Sequence, residues 1–288
     1  MDKKQKKIKR KLIVLYTILC VSIIGMLGFG TALFLEFRSN QQGSEFYADM
    51  PVAIVQRPVL PANIVQTTPR PTPLPGQYSN AEEYLEVPDA IVLPVQPFVV
   101  DFDQLRTQFP NIVGWIQSAG TPINYPIVQS TDNDFYLYRL PNGVRHPWGS
   151  IFLDYRNAPD FSSSVSIIYG HNMRSDDMFG SLRNYRNQSF FDAHDSMFIF
   201  TPEQDYLLLL FAGYLVDSAY EVPPMNFQSE ETFNQWLAET RNRSFFHSQV
   251  DVSFDDRIMF LATCTDSGRH TERFVIVGRL VPVVTDES

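Results

Sequence analysis

The chain has almost no cysteine. Its 288 residues hold two, Cys20 and Cys264, and Cys20 lies inside a long apolar run. No second thiol remains to pair with Cys264, which excludes a disulfide scaffold and a cysteine-rich zinc site. Positive charge is scarce as well. Residues 1–11 carry seven Lys and Arg against one Asp, leaving 16 Lys and Arg against 31 Asp and Glu in the rest, a net charge of −15. An acidic body excludes nucleic-acid binding, which needs a basic surface to neutralise phosphates, and argues against docking on anionic lipid. Internal repeats are absent, so no solenoid or propeller is encoded.

What the chain does have is one long hydrophobic run. Leu12 to Leu35 is 24 residues without a charge. A bilayer core takes about 20 residues of helix, whereas a secretory signal has an apolar core of about 7–15 residues and a small-residue cleavage site. Residues 12–36 therefore read as a retained transmembrane anchor. The Lys/Arg cluster of residues 1–11 before it is a cytoplasmic tail by the positive-inside rule. Everything beyond Arg38 is then extracellular, and the protein is a single-pass protein of the cell membrane.

Residues 37–97 read as a linker. Ten of the 20 prolines fall between Pro51 and Pro97. Proline lacks the amide donor and fixes φ, so this stretch is an extended spacer, with Ala90 to Leu93 as a short apolar piece that could dock on the C-terminal domain.

From residue 98 to 288 the sequence is globular. Asp101 caps a short helix that ends at Pro110. Apolar segments at Gly114–Ile116, Ile123–Val128, Ile151–Leu153, Val165–Tyr169, Phe198–Phe200, Tyr206–Val216, Arg257–Thr263 and Arg273–Pro282 read as strands. Glu230–Glu239 is an amphipathic helix with Phe233, Trp236 and Leu237 on one side. Many short strands with few helices predict a mainly β fold, a closed or nearly closed barrel.

Cys264 ends the apolar strand Ile258–Cys264. An unpaired thiol there is either a small core residue or a nucleophile. Acyl transfer by a thiol needs a thiolate to attack the carbonyl, an imidazole to protonate the leaving amine, and a donor to hold the oxyanion. His171, where the strand from Val165 runs into a loop, and Arg273, at the start of the last strand, supply the other two types. His146, His194, His247 and His270 do not sit in such a strand–Gly–His pattern. Taken singly, each of the three residues has a structural or surface role as its ordinary alternative, and spacing alone does not decide.

The stretches Tyr169-Gly170-His171-Asn172-Met173, Leu261-Ala262-Thr263-Cys264 and Arg273 to Leu280 resemble the sortases of Gram-positive bacteria, membrane-anchored cysteine transpeptidases. The likeness spans residues 100–284 or so. It is closest to class B on Asn111 to Ile116, Asp132 to Leu137, Met178 to Leu182, and the helix at 230–239. The resemblance implies an eight-stranded sortase-type barrel. It implies Cys264 as nucleophile, His171 as acid/base and Arg273 as the oxyanion and peptide holder, with Arg269 as the competing arginine. It implies Asn133, Leu137, Tyr169 and Thr263 as substrate-binding positions, and neither metal nor organic cofactor. The implied substrates are secreted proteins with a C-terminal sorting motif, and the acceptor is an amine of a peptidoglycan precursor or a pilin. Water as acceptor, a pilus-related role and a non-catalytic tethered barrel are the alternatives. The chain departs from the family's Thr-Leu-x-Thr-Cys stretch at Phe260 and Ala262, which bears on peptide specificity.

Overall fold

The computed structural model describes residues 3–50, 91–93, 100–217, 224–264 and 272–285. The chain divides into two units, residues 1–50 and 51–288, each described by itself.

The first unit is a single helix, α1 (Lys3–Ala48). Its apolar side chains, Val14 through Phe37, stand exposed around the helix. By length and composition the segment Val14–Ala48 is able to cross a membrane. The helix runs past residue 37, where the sequence places the linker. The reason is local: residues 37–48 contain no proline, and a Gln41 Nε2 to Glu45 Oε1 bond of 3.0 Å spans one turn. Most of the Pro-rich stretch lies outside the described residues.

The second unit is a β-barrel. Its elements in chain order are β1 (Ile91–Leu93), α2 (Phe102–Gln108), β2 (Ile112–Gln117), β3 (Asn124–Val128), β4 (Ile151–Leu153), β5 (Val165–His171), α3 (Gln188–Ala193), β6 (Ser196–Phe200), β7 (Tyr206–Asp217), α4 (Glu230–Arg243), β8 (Ile258–Cys264) and β9 (Glu272–Thr285). Two 3₁₀ turns, Tyr136–Tyr138 and Gly180–Arg186, lie in the connections. Strands β9-β7-β6-β2-β3-β4-β5-β8 form a ring of eight that closes through β8–β9. The mainly β, closed eight-stranded architecture expected from the sequence is the one observed. β1 adds a parallel ninth strand on the end of β9, pairing Ile91 with Val283, so the Ile91–Leu93 part of the apolar piece does dock, while Ala90 lies outside the described residues.

Closure explains the composition of the strands. A ring has no free edge, and its inner face is filled by side chains. Every residue of β5 is buried, and β7 is buried from Tyr206 to Tyr214. α4 begins at a capping box in which the Ser229 and Thr232 side chains each bond the other's backbone. It sets Trp236 against Phe211, Phe227 and Phe260. The departure at Phe260 is therefore a core matter. The ring is fully buried beneath α4, 5.8 Å from the Trp236 ring.

Six of the neighbouring pairs in the ring are antiparallel, and two, β3–β4 and β5–β8, are parallel. Parallel neighbours need long crossovers and end at the same side of the sheet. The 172–257 crossover from β5 to β8 carries α3, β6, β7 and α4. Its consequence is positional: the C-terminal residues of β5 and β8 arrive together at one edge.

The β6–β7 turn holds a half-buried acid. Burial pushes the Asp205 carboxyl up from its ordinary 3.8 to about 6, against a backbone hydrogen bond at Thr201 that lowers it. Folding therefore favours the protonated form. The associated stability is fully present below about pH 4 and is lost as pH rises through about 6, on the order of 1–2 kcal/mol after allowing for partial exposure. Asp205→Asn is expected to raise the melting temperature at pH 7.5 relative to the parent chain and to leave it unchanged at pH 4. Thermal unfolding followed by circular dichroism at the two pH values checks this.

Candidate active site

The parallel ladder of β5 and β8 pairs Tyr169 with Ala262, Gly170 with Thr263 and His171 with Cys264. Strands in a sheet lie about 4.8 Å apart, so the imidazole-bearing and thiol-bearing residues are immediate neighbours at the strand ends. β9 starts at the same edge. Its antiparallel ladder with β8 runs to Ala262 opposite Val275. The next step is taken by a side chain, as Thr263 Oγ1 accepts from Phe274 N at 2.8 Å. Arg273, the next residue of β9, lies at the same edge as the end of β8. Strand pairing thus sets His171 beside Cys264, and the start of β9 brings Arg273 to the same edge.

His171 is held rather than merely placed. The residue is 7 % exposed. Its Nε2 lies 2.5 Å from the carbonyl oxygen of Leu137, and the Tyr138 ring sits 5.6 Å from the imidazole. A carbonyl only accepts, so Nε2 carries a proton and proton exchange falls to Nδ1. Gly149 makes room for this contact. It adopts φ +58°, and a Cβ there would sit on the Leu137 carbonyl oxygen and 3.0 Å from His171 Cδ2. Gly149→Ala is expected to displace the Leu137 carbonyl and to lower kcat about 100-fold, the cost of misplacing a reacting group by about 1 Å. The far-ultraviolet spectrum should stay that of the parent, and steady-state peptide kinetics checks the loss. Gly170 is equally constrained, since a Cβ would come within 2.7 Å of the Phe179 ring that covers the strand.

Arg273 pairs with Val216 on its β7 side. Its Nε is buried and finds no hydrogen-bond partner among the described residues. Its charge reaches the Tyr169 phenol. Burial pushes that phenol up, the Asp154 charge and hydrogen bond push it further, and Arg273 opposes them. Arg269 and His270 lie outside the described residues. Among the described histidines, His171 alone stands on a strand paired with β8.

Of the four positions expected to bind substrate, Asn133 and Tyr169 belong to one polar cluster around Asp154. Asn133 Nδ2 donates to Asp154 Oδ2 at 2.9 Å, and the Tyr169 hydroxyl donates to the same oxygen at 3.2 Å. Leu137 is half-buried, and it acts on His171 through its backbone carbonyl. Thr263 is 1 % exposed, with its hydroxyl engaged by β9. Sequence reasoning missed Tyr138, Gly149, Asp154 and Arg156. The signal for the last two was an acid and a base two residues apart directly after the apolar Ile151–Leu153 strand. Among the described residues no group of His, Cys, Asp or Glu is arranged to hold a metal ion.

A closed barrel that sets a strand-end cysteine beside a histidine on the neighbouring parallel strand has the groups that thiol-based acyl transfer needs. The family described as Sortase domain matches residues 116–281, and this chain belongs to the sortase family. Sortase B of Listeria monocytogenes is 37% identical over 172 residues, covering 59% of this chain and 70% of that protein. Sortase B of Staphylococcus aureus is 33% identical over 183 residues, covering 63% of this chain and 75% of its own length. The solved Staphylococcus aureus sortase B–substrate complex superimposes with a TM-score of 0.61 at 33% identity over 63% of this chain and 84% of that one. Sortase B from Bacillus anthracis gives 0.63 at 27% identity over 85% and 99%. Within the family, then, the chain is class B-like, as the motifs implied.

Proposed function

We propose that the chain is a membrane-anchored class B-type sortase whose catalytic barrel faces the outside of the cell membrane. It cuts the C-terminal sorting peptide of a secreted protein and transfers the new carboxyl end to a cell-wall amine. The observation that carries the reading is the pairing of His171 with Cys264 across β5 and β8.

In this reaction the Cys264 thiolate attacks the carbonyl carbon of the scissile peptide bond. The carbonyl π electrons move onto oxygen, and Arg273 stabilises that oxyanion. The carbon–nitrogen bond then breaks as the His171 imidazolium delivers its Nδ1 proton to the departing amine, leaving a thioester on Cys264. An acceptor amine attacks the thioester, neutral His171 takes up the amine proton, and the thiolate leaves. Every atom and proton is accounted for without metal or organic cofactor. The Lys/Arg cluster ahead of the apolar helix supports a cytoplasmic N-terminus, and the Pro-rich linker supports a spacer between anchor and barrel.

The test uses the full chain in detergent micelles with a library of sorting-type peptides, read by mass spectrometry with and without hydroxylamine. A hydroxamate at one peptide bond identifies both the thioester route and the recognition sequence. Cleavage whose products ignore added amine makes the chain a hydrolase instead, and no cleavage of any peptide removes the reading.

A further inference from the structure

We infer that Asp154 is a positioning residue of this active site: its buried carboxylate ties the Asn133–Leu137 segment and the Tyr169 end of β5 into one wall, and so fixes the orientation of His171. The inference rests on the Cys264–His171 reading above.

Asp154 follows β4 directly and is fully buried. A carboxylate removed from water costs several kcal/mol unless an opposite charge and hydrogen bonds replace the solvent. Arg156 supplies both. Its Nε and Nη2 reach Oδ1 and Oδ2 at 2.8 Å each, and its backbone N donates to Oδ1 at 3.0 Å. That fork alone would satisfy a salt bridge serving only the end of β4. Two further donors converge on Oδ2, from Asn133 and Tyr169, and both come from elements that surround the imidazole. Tyr169 precedes His171 by two residues on β5, hence on the same face of the strand. Asn133 opens the segment that ends at Leu137, whose carbonyl holds His171 Nε2. The Asn133 side chain is engaged at both ends, because its Oδ1 also accepts from Tyr155 N at 3.1 Å. It is a strut between the segment and the carboxylate.

The charge is held in place too. Burial pushes the Asp154 carboxyl up, but hydrogen bonds from the Arg156 side chain and backbone and from Asn133 outweigh it and keep the group below the ordinary carboxylate range. Asp154 is ionised at neutral pH, and its charge is answered by Arg156. Arg273 is the other cation whose charge reaches the Tyr169 phenol.

Two variants separate positioning from plain stabilisation. Asp154→Asn keeps the shape and removes the charge. Tyr169→Phe removes one hydroxyl and leaves the Arg156 fork intact. Each is expected to lower kcat/KM for a cleaved peptide about tenfold, the cost of small misplacement of reacting groups. The double variant should fall no further than the weaker single, the mark of coupling. In ¹⁵N-labelled enzyme the His171 ring signals should move in Asp154→Asn from an Nε2–H pattern toward mixed tautomers. Additive losses with an unshifted tautomer overturn the inference, as does a folded Tyr169→Phe enzyme with parental kcat/KM. Should Asp154→Asn fail to fold, the Tyr169→Phe comparison decides alone. A parent enzyme without acyl transfer, or a Cys264→Ala enzyme that retains it, removes the underlying reading and this inference together. An active parent with unaffected variants removes only the inference.

Discussion

Cys264→Ala is expected to abolish acyl transfer, with turnover below about 10⁻⁴ of the parent, the scale seen when a covalent nucleophile is deleted. Among the described residues no other group at the paired strand ends replaces the thiolate: His171 Nε2–H is committed to a carbonyl, and Arg273 is a cation. The substitution asks little of the fold, because the β5–β8 ladder that positions residue 264 is made by backbone groups and alanine donates and accepts there as cysteine does. Peptide affinity should therefore persist while hydroxamate formation disappears. Fluorescence titration with a labelled sorting peptide and the hydroxylamine assay measure the two quantities separately. Retained turnover in this variant would leave the barrel as scaffold for some other chemistry.

Much of this arrangement was legible in the residues, and the limits have physical causes. The strand at Val165–Tyr169, the helix from Glu230 and the final strand from Arg273 show as hydrophobic periodicity, because each buries a face, and the structure places strands or helix over them all. Their ends were less legible. β5 continues to His171 because its pairing with β8 continues, a fact about a partner 93 residues away that no local pattern carries. The support of the site was hidden for the same reason. Gly149 matters through its contact with His171 and the Leu137 carbonyl, which becomes visible only when the loop after β3 is folded over β5. Leu137 read as a side chain facing a groove, yet what His171 uses is its backbone oxygen, and a backbone atom leaves no mark in the residue type. Asn133 read as a substrate-binding position, and its bond to Asp154 shows only once the strands bring the two within hydrogen-bonding distance.

Arg273→Met is expected to lower kcat about 10²–10³-fold while changing KM far less, the cost of removing one donor aimed at a developing oxyanion. The geometry sets this expectation apart from that for an ordinary surface arginine. The β8–β9 ladder reaches Ala262 and Val275, and the Thr263–Phe274 bond follows it, so residue 273 starts β9 at the edge where β8 ends. The residue is half-buried, and its Nε is buried with no partner among the described residues, so one donor of the fork has lost water without gaining an acceptor there. A buried donor lacking an acceptor costs about 1–3 kcal/mol, and an incoming substrate oxygen would recover that cost at the moment of reaction. Methionine keeps the apolar stem and removes only the charged fork, so the variant should be at least as stable as the parent. Arg273→Lys restores a charge without the planar fork, and should recover part of the rate, about tenfold above the methionine variant. Arg269 provides the control. If Arg273 is the oxyanion holder, Arg269→Met stays within about twofold of the parent, the range of a substitution that removes no such interaction. Single-turnover rates of hydroxamate formation for the three variants, measured beside thermal unfolding, decide between the two arginines. A large loss at Arg269 together with a small one at Arg273 would move the oxyanion site to residue 269.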